Sequence, residues 1–232
     1  MTESTELVLA AILLANIAMA ASSRLMSCIK IIAVQGLLIG ILPLAVWNWS
    51  AGAPRAQLLA TAAVSVAVKF VLLPALLAMA MRRAGVRREL EPFVGYSASV
   101  AILLALIAAV FLACGKFPFA PAAVSALAMP VALATMGSGL FMIVARRKAL
   151  TQVVGFLMFE NGIAVFGAGM MLEYGLLVEL GILLDVLVLV FIMGIGIFHI
   201  SREFSHIDAD RLNRLGDMPG RHKGTGNLKL ET

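Results

Sequence analysis

Three ionisable side chains lie inside long apolar runs of this sequence, where a charge is costly and chemistry is therefore expected. They are Lys69, Glu160 and Asp185, each with apolar residues on its N-terminal side. A charge at the centre of a bilayer costs about 2.5–3.5 kcal/mol on insertion scales, so such residues are rare and usually functional. A carboxyl group in that setting holds or releases a proton according to its neighbours. We therefore interpret Glu160 and Asp185 as candidate proton-transfer groups.

Lys69 is too deep in its apolar run for its amine to reach the membrane surface comfortably. A lysine there either pairs with a carboxylate or carries protons itself. The sequence leaves both open, including an ion pair with Asp185 or Glu160 that only holds helices together. For Glu160 the structural alternative is a protonated carboxyl group that hydrogen-bonds a neighbouring helix. Pro74, one turn beyond Lys69, is expected to loosen the helix and to admit water.

Gln35, Asn161 and Glu179 are secondary polar candidates. Gln35, like Asn16, is uncharged, and interhelical hydrogen bonding is the interpretation we favour for both. Asn161 follows Glu160 directly, and Glu179 lies nearer the outer interface, where water can solvate it. No metal site is predicted, because the cysteines and histidines lack the spacing of metal ligands.

The elements that must position these residues are predicted to be transmembrane helices. Hydrophobic residues make up 62% of the 232 residues and charged residues 13%, which is too apolar for a water-soluble fold. A spanning helix needs about 20 apolar residues. Seven stretches qualify: 5–22, 27–48, 56–81, 94–114, 121–145, 150–171 and 176–200. We predict an all-α integral membrane protein with a membrane domain over 1–200 and a polar cytoplasmic tail over 201–232.

The basic residues indicate how the helices are oriented. Fifteen of the 18 lysines and arginines fall on one side of the predicted membrane domain, against only Arg55 and Lys116 on the other. The positive-inside rule then puts the N-terminus outside and the C-terminus in the cytoplasm of a cell inner membrane. The net charge of +5 does not indicate nucleic-acid binding, because the basic residues form short clusters between apolar runs.

The first three and the last three predicted helices share a pattern, which indicates a duplicated three-helix unit. In each copy a basic turn precedes a helix with a central polar residue, and a helix with a central charge follows. The residues concerned are Arg24, Gln35 and Lys69 in the first copy and Arg147, Glu160 and Asp185 in the second. Both copies run in the same direction, because a fourth helix separates them.

Several of these elements resemble subunits of known membrane complexes. The turn 146–148 and the run that ends in Glu160-Asn161-Gly162 resemble the second helix of the small K subunit of respiratory complex I, which has a membrane-embedded glutamate used in proton transfer. Asp185 stands near the place of that subunit's second glutamate. Over nearly the whole chain, the sequence resembles the component E family of hydrogenase-4 and formate hydrogenlyase. The elements Gln35-Gly36 and Lys69 to Pro74 carry this longer resemblance.

This resemblance implies a non-catalytic membrane subunit of a complex-I-like assembly, such as a group 4 nickel–iron hydrogenase. Lys69, Glu160 and Asp185 would exchange protons or respond to charge movement in antiporter-like neighbours. This chain is expected to hold no cofactor, and nickel–iron and iron–sulfur centres would belong to peripheral redox subunits. Its expected partners are other membrane-arm subunits, including antiporter-like proteins, together with the peripheral redox subunits and the lipid bilayer, with no nucleic acid.

Two other functions remain open on the sequence. A free-standing ion-coupled secondary transporter would suit an internal repeat, since such transporters often bind substrate between repeats. A purely structural membrane anchor is the second alternative, for which buried charge would be a needless cost.

Overall fold

The described part of the chain folds into long helices. A computed structural model describes residues 2–47, 56–83, 94–116, 125–146 and 149–169, together with Gly181. Its elements are α1 (Thr2–Ala21), α2 (Leu25–Val46), α3 (Ala56–Val66), a π-helical segment (Ala67–Leu72), α4 (Leu73–Arg83), α5 (Tyr96–Lys116), α6 (Ala128–Ala145) and α7 (Ala149–Gly169). Because α3, the π-helical segment and α4 are continuous, they form one span.

Six helical stretches in the described part of the chain are long and apolar enough to cross a membrane. A helix satisfies its backbone hydrogen bonds internally, which is what the hydrocarbon core demands of any segment that spans it. The prediction of an all-α, multi-pass membrane protein is therefore confirmed. The seventh predicted segment, 176–200, lies outside the described residues except for Gly181, and so does the whole of the predicted tail, 201–232.

The fifth predicted segment begins later than the sequence indicates. Hydropathy places its start at residue 121, whereas Ser125–Leu127 form a turn and α6 begins at Ala128. The Ser125 hydroxyl accepts a hydrogen bond from the Leu127 amide at 3.2 Å, and its carbonyl accepts one from the Ala128 amide at 3.1 Å. Such local side-chain bonds favour a turn over a continued helix. Hydropathy does not register this effect.

The third predicted segment, 56–81, is a single span, but its centre is π-helical. The Leu73 amide donates to the Val68 carbonyl, five residues earlier instead of four. Pro74 follows directly, and a proline inside a helix has no N–H to donate and crowds the carbonyl four residues before it. The wider π turn accommodates the proline. It also places Lys69 on a segment of a type that occurs frequently at functional sites.

Two clusters of buried apolar side chains hold the helices together, one toward each end of the bundle. The basic-end cluster includes Met19, Ile32, Leu77, Met142 and Val154. The opposite cluster includes Ile12, Ile39, Val131 and Val165. On each of α1, α2, α6 and α7 the two clusters occupy opposite halves of the helix, so the middle of the bundle lies between them.

Candidate functional site

Polar side chains fill the space between the two apolar clusters. We name them the polar layer, and all of them are buried: Asn16, Gln35, Lys69, Thr135, Glu160 and Asn161. Glu160 lies eleven residues beyond Ala149, the first residue of α7, which corresponds to about 16 Å along the helix axis. That is close to half of a hydrocarbon core about 30 Å thick. The polar layer therefore lies near the middle of the span.

Lys69 and Glu160 form an ion pair in this layer. The Lys69 Nζ lies 2.5 Å from the Glu160 Oε1, and the side chains are 8% and 2% exposed. The Lys69 Nζ also donates to the Asn161 Oδ1 at 3.4 Å. Of the two carboxylates that the sequence offers to Lys69, Glu160 is thus the one found beside it. Asp185 and Glu179 lie outside the described residues.

Hydrogen bonds extend from the ion pair into the neighbouring helices. The Asn161 Nδ2 donates to the Gln35 Oε1 at 3.3 Å, which links α7 to α2. The Gln35 Nε2 donates to the Asn16 Oδ1 of α1 at 2.7 Å. The Asn16 Nδ2 donates to the Thr135 Oγ1 of α6 at 2.9 Å. One connected network therefore joins α1, α2, the π-helical segment that carries Lys69, α6 and α7.

Close backbone contacts at glycines set the position of Glu160. A Cβ added to Gly139 of α6 would lie 2.7 Å from the Gly155 carbonyl oxygen of α7. A Cβ added to Gly162 would lie 2.6 Å from the Met136 amide nitrogen. Both distances are too short for a real side chain, so α6 and α7 approach each other as only glycine permits. These contacts flank Glu160 along α7 and fix its height in the bundle.

A third glycine sets the position of Lys69. A Cβ added to Gly36 of α2 would lie 2.7 Å from the Lys69 carbonyl oxygen. The π-helical segment therefore lies directly against the α2 backbone, one residue from Gln35. The sequence element Gln35-Gly36 thus has two parts in the site. Gln35 supplies hydrogen bonds to the polar layer, and Gly36 supplies the space that Lys69 needs.

The arrangement can hold a proton in more than one place. Burying two charges is costly, and their attraction offsets that cost only when the geometry is good and further hydrogen bonds help. Moving one proton from the Lys69 ammonium to the Glu160 carboxylate converts the ion pair into a neutral amine and carboxylic acid. A change of charge nearby shifts the balance between these forms. The site therefore has the chemistry of an acid–base pair that responds to its electrostatic surroundings.

The sequence does not single out Thr135, although this residue closes the network. Threonine is common in membrane helices because its hydroxyl can bond the carbonyl four residues earlier, as the Thr135 Oγ1 does with the Val131 carbonyl at 2.7 Å. The depth of Thr135 along α6 is the feature that could have identified it. On α6 it lies between Val131 of the opposite cluster and Met142 of the basic-end cluster, at the level of the other polar residues.

Arg146 is a second residue of interest that the sequence does not single out. It belongs to the predicted basic turn, yet its side chain is buried. It is 1% exposed, and its Nη2 donates to the Ala20 carbonyl of α1 at 3.3 Å. Its guanidinium carbon lies 5.1 Å from the centroid of the Tyr96 ring, a cation–π contact with α5. Burial lowers the pKa of Arg146, with Tyr96 and Cys28 opposing the shift. Arg146 therefore joins the basic ends of three helices.

Comparisons with known proteins assign no activity to the chain. No protein-family model matches the chain, and no solved structure matches it. The chain is 30% identical over 161 residues to the uncharacterized protein Rv0085 of Mycobacterium tuberculosis. The match covers 69% of this chain and 73% of the mycobacterial protein.

Proposed function

We propose a function from the site itself, because the chain belongs to the family of the uncharacterized mycobacterial protein Rv0085, whose name states no activity. The proposed function is that of a non-catalytic membrane subunit in a complex-I-like assembly of the group 4 nickel–iron hydrogenase type. Within it, Lys69 and Glu160 contribute to proton translocation or to its coupling to redox chemistry. The redox centres would belong to peripheral partner subunits.

The buried Lys69–Glu160 ion pair is the observation that carries this proposal. A membrane anchor needs no charge at mid-depth, and an intramembrane ionisable residue usually marks an ion or proton pathway. Here a cation and an anion meet between two apolar clusters, and a hydrogen-bond network surrounds them. Helix association does not require so many buried polar and charged side chains, since small residues alone bring α6 and α7 together.

The proposed role of the ion pair depends on the energetic cost of adding a proton to Glu160. If Glu160 takes up a proton from outside the pair, Lys69 becomes a buried cation beside a neutral group. Leaving one member of a buried pair uncompensated costs about 3–5 kcal/mol. Proton uptake at Glu160 is therefore favourable only when another anion approaches Lys69 or when Lys69 moves. A charge that moves in a neighbouring antiporter-like subunit would supply such a change.

The proposal includes a seventh helix over 176–200 that carries Asp185 and Glu179. Asp185 would serve as a second proton-transfer group and Glu179 as a secondary polar residue. The duplicated three-helix unit is part of the same proposal. Two observations support it: α1 and α6 run in the same direction between the two apolar clusters, and their polar residues Asn16 and Thr135 lie at the same level.

The first experiment identifies the partners. The full-length protein is purified in a mild detergent through a tag on its C-terminal tail, and the co-purifying subunits are identified by mass spectrometry. We expect a hydrogenase or quinone-oxidoreductase large subunit together with antiporter-like membrane proteins. A protein that runs alone or as a homo-oligomer would contradict the assembly. The secondary transporter would then be the function to test, with Glu160 as its candidate ion site.

The second experiment tests the ion pair inside the assembly. We expect Glu160→Gln to abolish proton translocation driven by the redox reaction in membrane vesicles, because the amide cannot exchange a proton. Electron transfer by the peripheral subunits should continue. Glu6→Gln is the matched control, since Glu6 is an exposed carboxylate near the start of α1. Full translocation in Glu160→Gln would reduce the pair to a structural role.

A further inference from the structure

Five hydrogen bonds that start at Lys69 form one series, in which every bond is donated in the same direction. Starting from the Lys69 ammonium, the donors follow one another through Asn161, Gln35 and Asn16 to Thr135. The Thr135 hydroxyl then donates to the Val131 carbonyl at 2.7 Å, which ends the series. We name these four side chains, Asn161, Gln35, Asn16 and Thr135, the amide chain. Each carboxamide in it accepts through its oxygen and donates through its nitrogen.

Chemistry at its two ends fixes the direction of the amide chain. An ammonium group can only donate, so the oxygen of Asn161 must face Lys69. At the other end a backbone carbonyl can only accept, so the Thr135 hydroxyl donates to Val131 and accepts from Asn16. A flip of Gln35 would set nitrogen against nitrogen and oxygen against oxygen. In the observed direction, every acceptor oxygen of the series faces a donor.

This direction favours a positive charge on Lys69. Every dipole in the series presents its negative end toward the amine, and hydrogen bonds in a chain polarise one another. A bond from a charged donor is roughly twice as strong as one between neutral groups. Asn16, Gln35 and Thr135 are fully buried, so water does not weaken the effect. The series therefore stabilises an ammonium–carboxylate pair against the neutral amine and carboxylic acid.

The amide chain is also a poor route for protons. Carboxamides carry no side-chain group that gains or loses a proton in the ordinary pH range, unlike a carboxyl, imidazole or amine group. Three of the four links between Lys69 and the Val131 carbonyl are carboxamides. The amide chain can thus transmit an electrostatic effect, but it does not itself conduct a proton from Lys69 toward α1 and α6.

We propose that the amide chain holds Lys69 as a permanent cation, so that the proton exchanged by the pair is taken up and released at Glu160. Asn161, Gln35, Asn16 and Thr135 are then positioning residues that act through Lys69. This inference rests on the proposed function, in which the pair exchanges a proton, and assigns the two members different parts.

The test reads the protonation of Glu160 directly. Hydrophobic carbodiimides react with protonated carboxyl groups inside membrane proteins, so the rate at which the Glu160 peptide is labelled follows its protonated fraction. The rate is measured by mass spectrometry on the purified full-length protein at one pH. Lys69→Met gives the reference for a carboxyl group without its cation. Glu160→Gln shows the background.

We expect Gln35→Met, which removes the middle of the amide chain, to raise the labelling rate about tenfold over the unsubstituted protein. Thr135→Val is nearly isosteric and removes only the last hydroxyl of the amide chain, so the labelling rate of Glu160 should rise less in this variant. Because Thr135→Val disturbs the packing little, it keeps the test valid even where Gln35→Met does not fold. Ser138→Ala is the matched control: Ser138 is a buried hydroxyl of α6 that bonds the Ala134 carbonyl, outside the chain.

Each failure has its own meaning. If Lys69→Met raises the rate while Gln35→Met and Thr135→Val leave it unchanged, the ion pair is sound and the amide chain does not hold the cation. If Ser138→Ala raises the rate as much as Thr135→Val does, the effect is general loosening and the inference is wrong. If Lys69→Met itself leaves the rate unchanged, the ion pair does not set the state of Glu160, and the proposed function fails with it.

Discussion

At the scale of single residues, Lys69 and Glu160 are each costly to bury alone, and each offsets the burial cost of the other. Removing one member of a buried ion pair costs about 3–5 kcal/mol, whereas replacing both with apolar groups of similar size is often neutral. Lys69 and Glu160 are 8% and 2% exposed, so solvent screens them little. Their contributions to the free energy of unfolding should therefore be strongly coupled.

We predict that Lys69→Met lowers the free energy of unfolding by about 3 kcal/mol and that adding Glu160→Met restores most of the loss. Unfolding of the purified protein in detergent, followed by circular dichroism, measures both. Lys30→Met is the matched control, because Lys30 is an exposed lysine of α2 and its loss should change stability little. Additive effects of the two substitutions would show that the pair is not coupled.

Residue type and depth together predict Lys69 and Glu160 as members of a site, because only a charge in a long apolar run stands out in one sequence. Their pairing could not be predicted. Lys69 precedes Glu160 by 91 residues, and Asp185 was an equal candidate. Thr135 is hidden for a different reason: its hydroxyl fits a membrane helix without penalty, so its presence carries no signal until its neighbours are known.

At the scale of the elements, backbone contact between α6 and α7 sets where Glu160 stands. A Cβ at Gly139 would meet the α7 backbone at Gly155, and backbone cannot move aside locally. A Cβ at Gly137, two residues away, would have the Leu106 side chain as its nearest neighbour, with the two methyl carbons at 3.0 and 3.3 Å. A flexible side chain can rotate out of the way. An alanine should therefore destabilise the protein much more at Gly139 than at Gly137.

We predict that Gly139→Ala destabilises the protein by about 1–3 kcal/mol, because the two helices must separate to admit the methyl group. Gly137→Ala, its matched control, should change stability by less than about 0.5 kcal/mol. Thermal unfolding in detergent compares the two. Equal losses at both positions would show that the helices are not in the close contact described.

Helix extents follow from hydropathy because the bilayer imposes one length on every span, and the six described spans agree with this rule. The departures come from single residues whose effect is local. Ser125 turns the chain before α6. Pro74 has no N–H to donate, and its position decides where the helix widens into the π-helical segment. The contact between Gly36 and Lys69, which joins two helices, also affects this segment. Neither effect is visible in an average over an apolar window.

At the scale of the whole molecule, charge is distributed unevenly between the two ends of the bundle. The end that contains the basic-end cluster holds Arg24, Lys30, Arg82 and Arg146 near it. Tyr96, the first residue of α5, contacts Arg146 at this end, so Lys116 lies at the other end, about 30 Å along the helix. By the positive-inside rule, this asymmetry supports the orientation expected from the sequence, with the N-terminus of α1 outside.

This orientation predicts which side of the membrane each end of the bundle faces. In a background of Cys28→Ser and Cys114→Ser, we expect Lys116→Cys to react with a membrane-impermeant thiol reagent in intact cells. Ser23→Cys should react only after the membrane is permeabilised. Ser23 and Lys116 are both exposed, so burial does not bias the comparison. The reverse pattern would put the basic ends outside. Because Glu160 lies near mid-depth, reversal would exchange the compartments between which its proton moves and leave the ion pair intact.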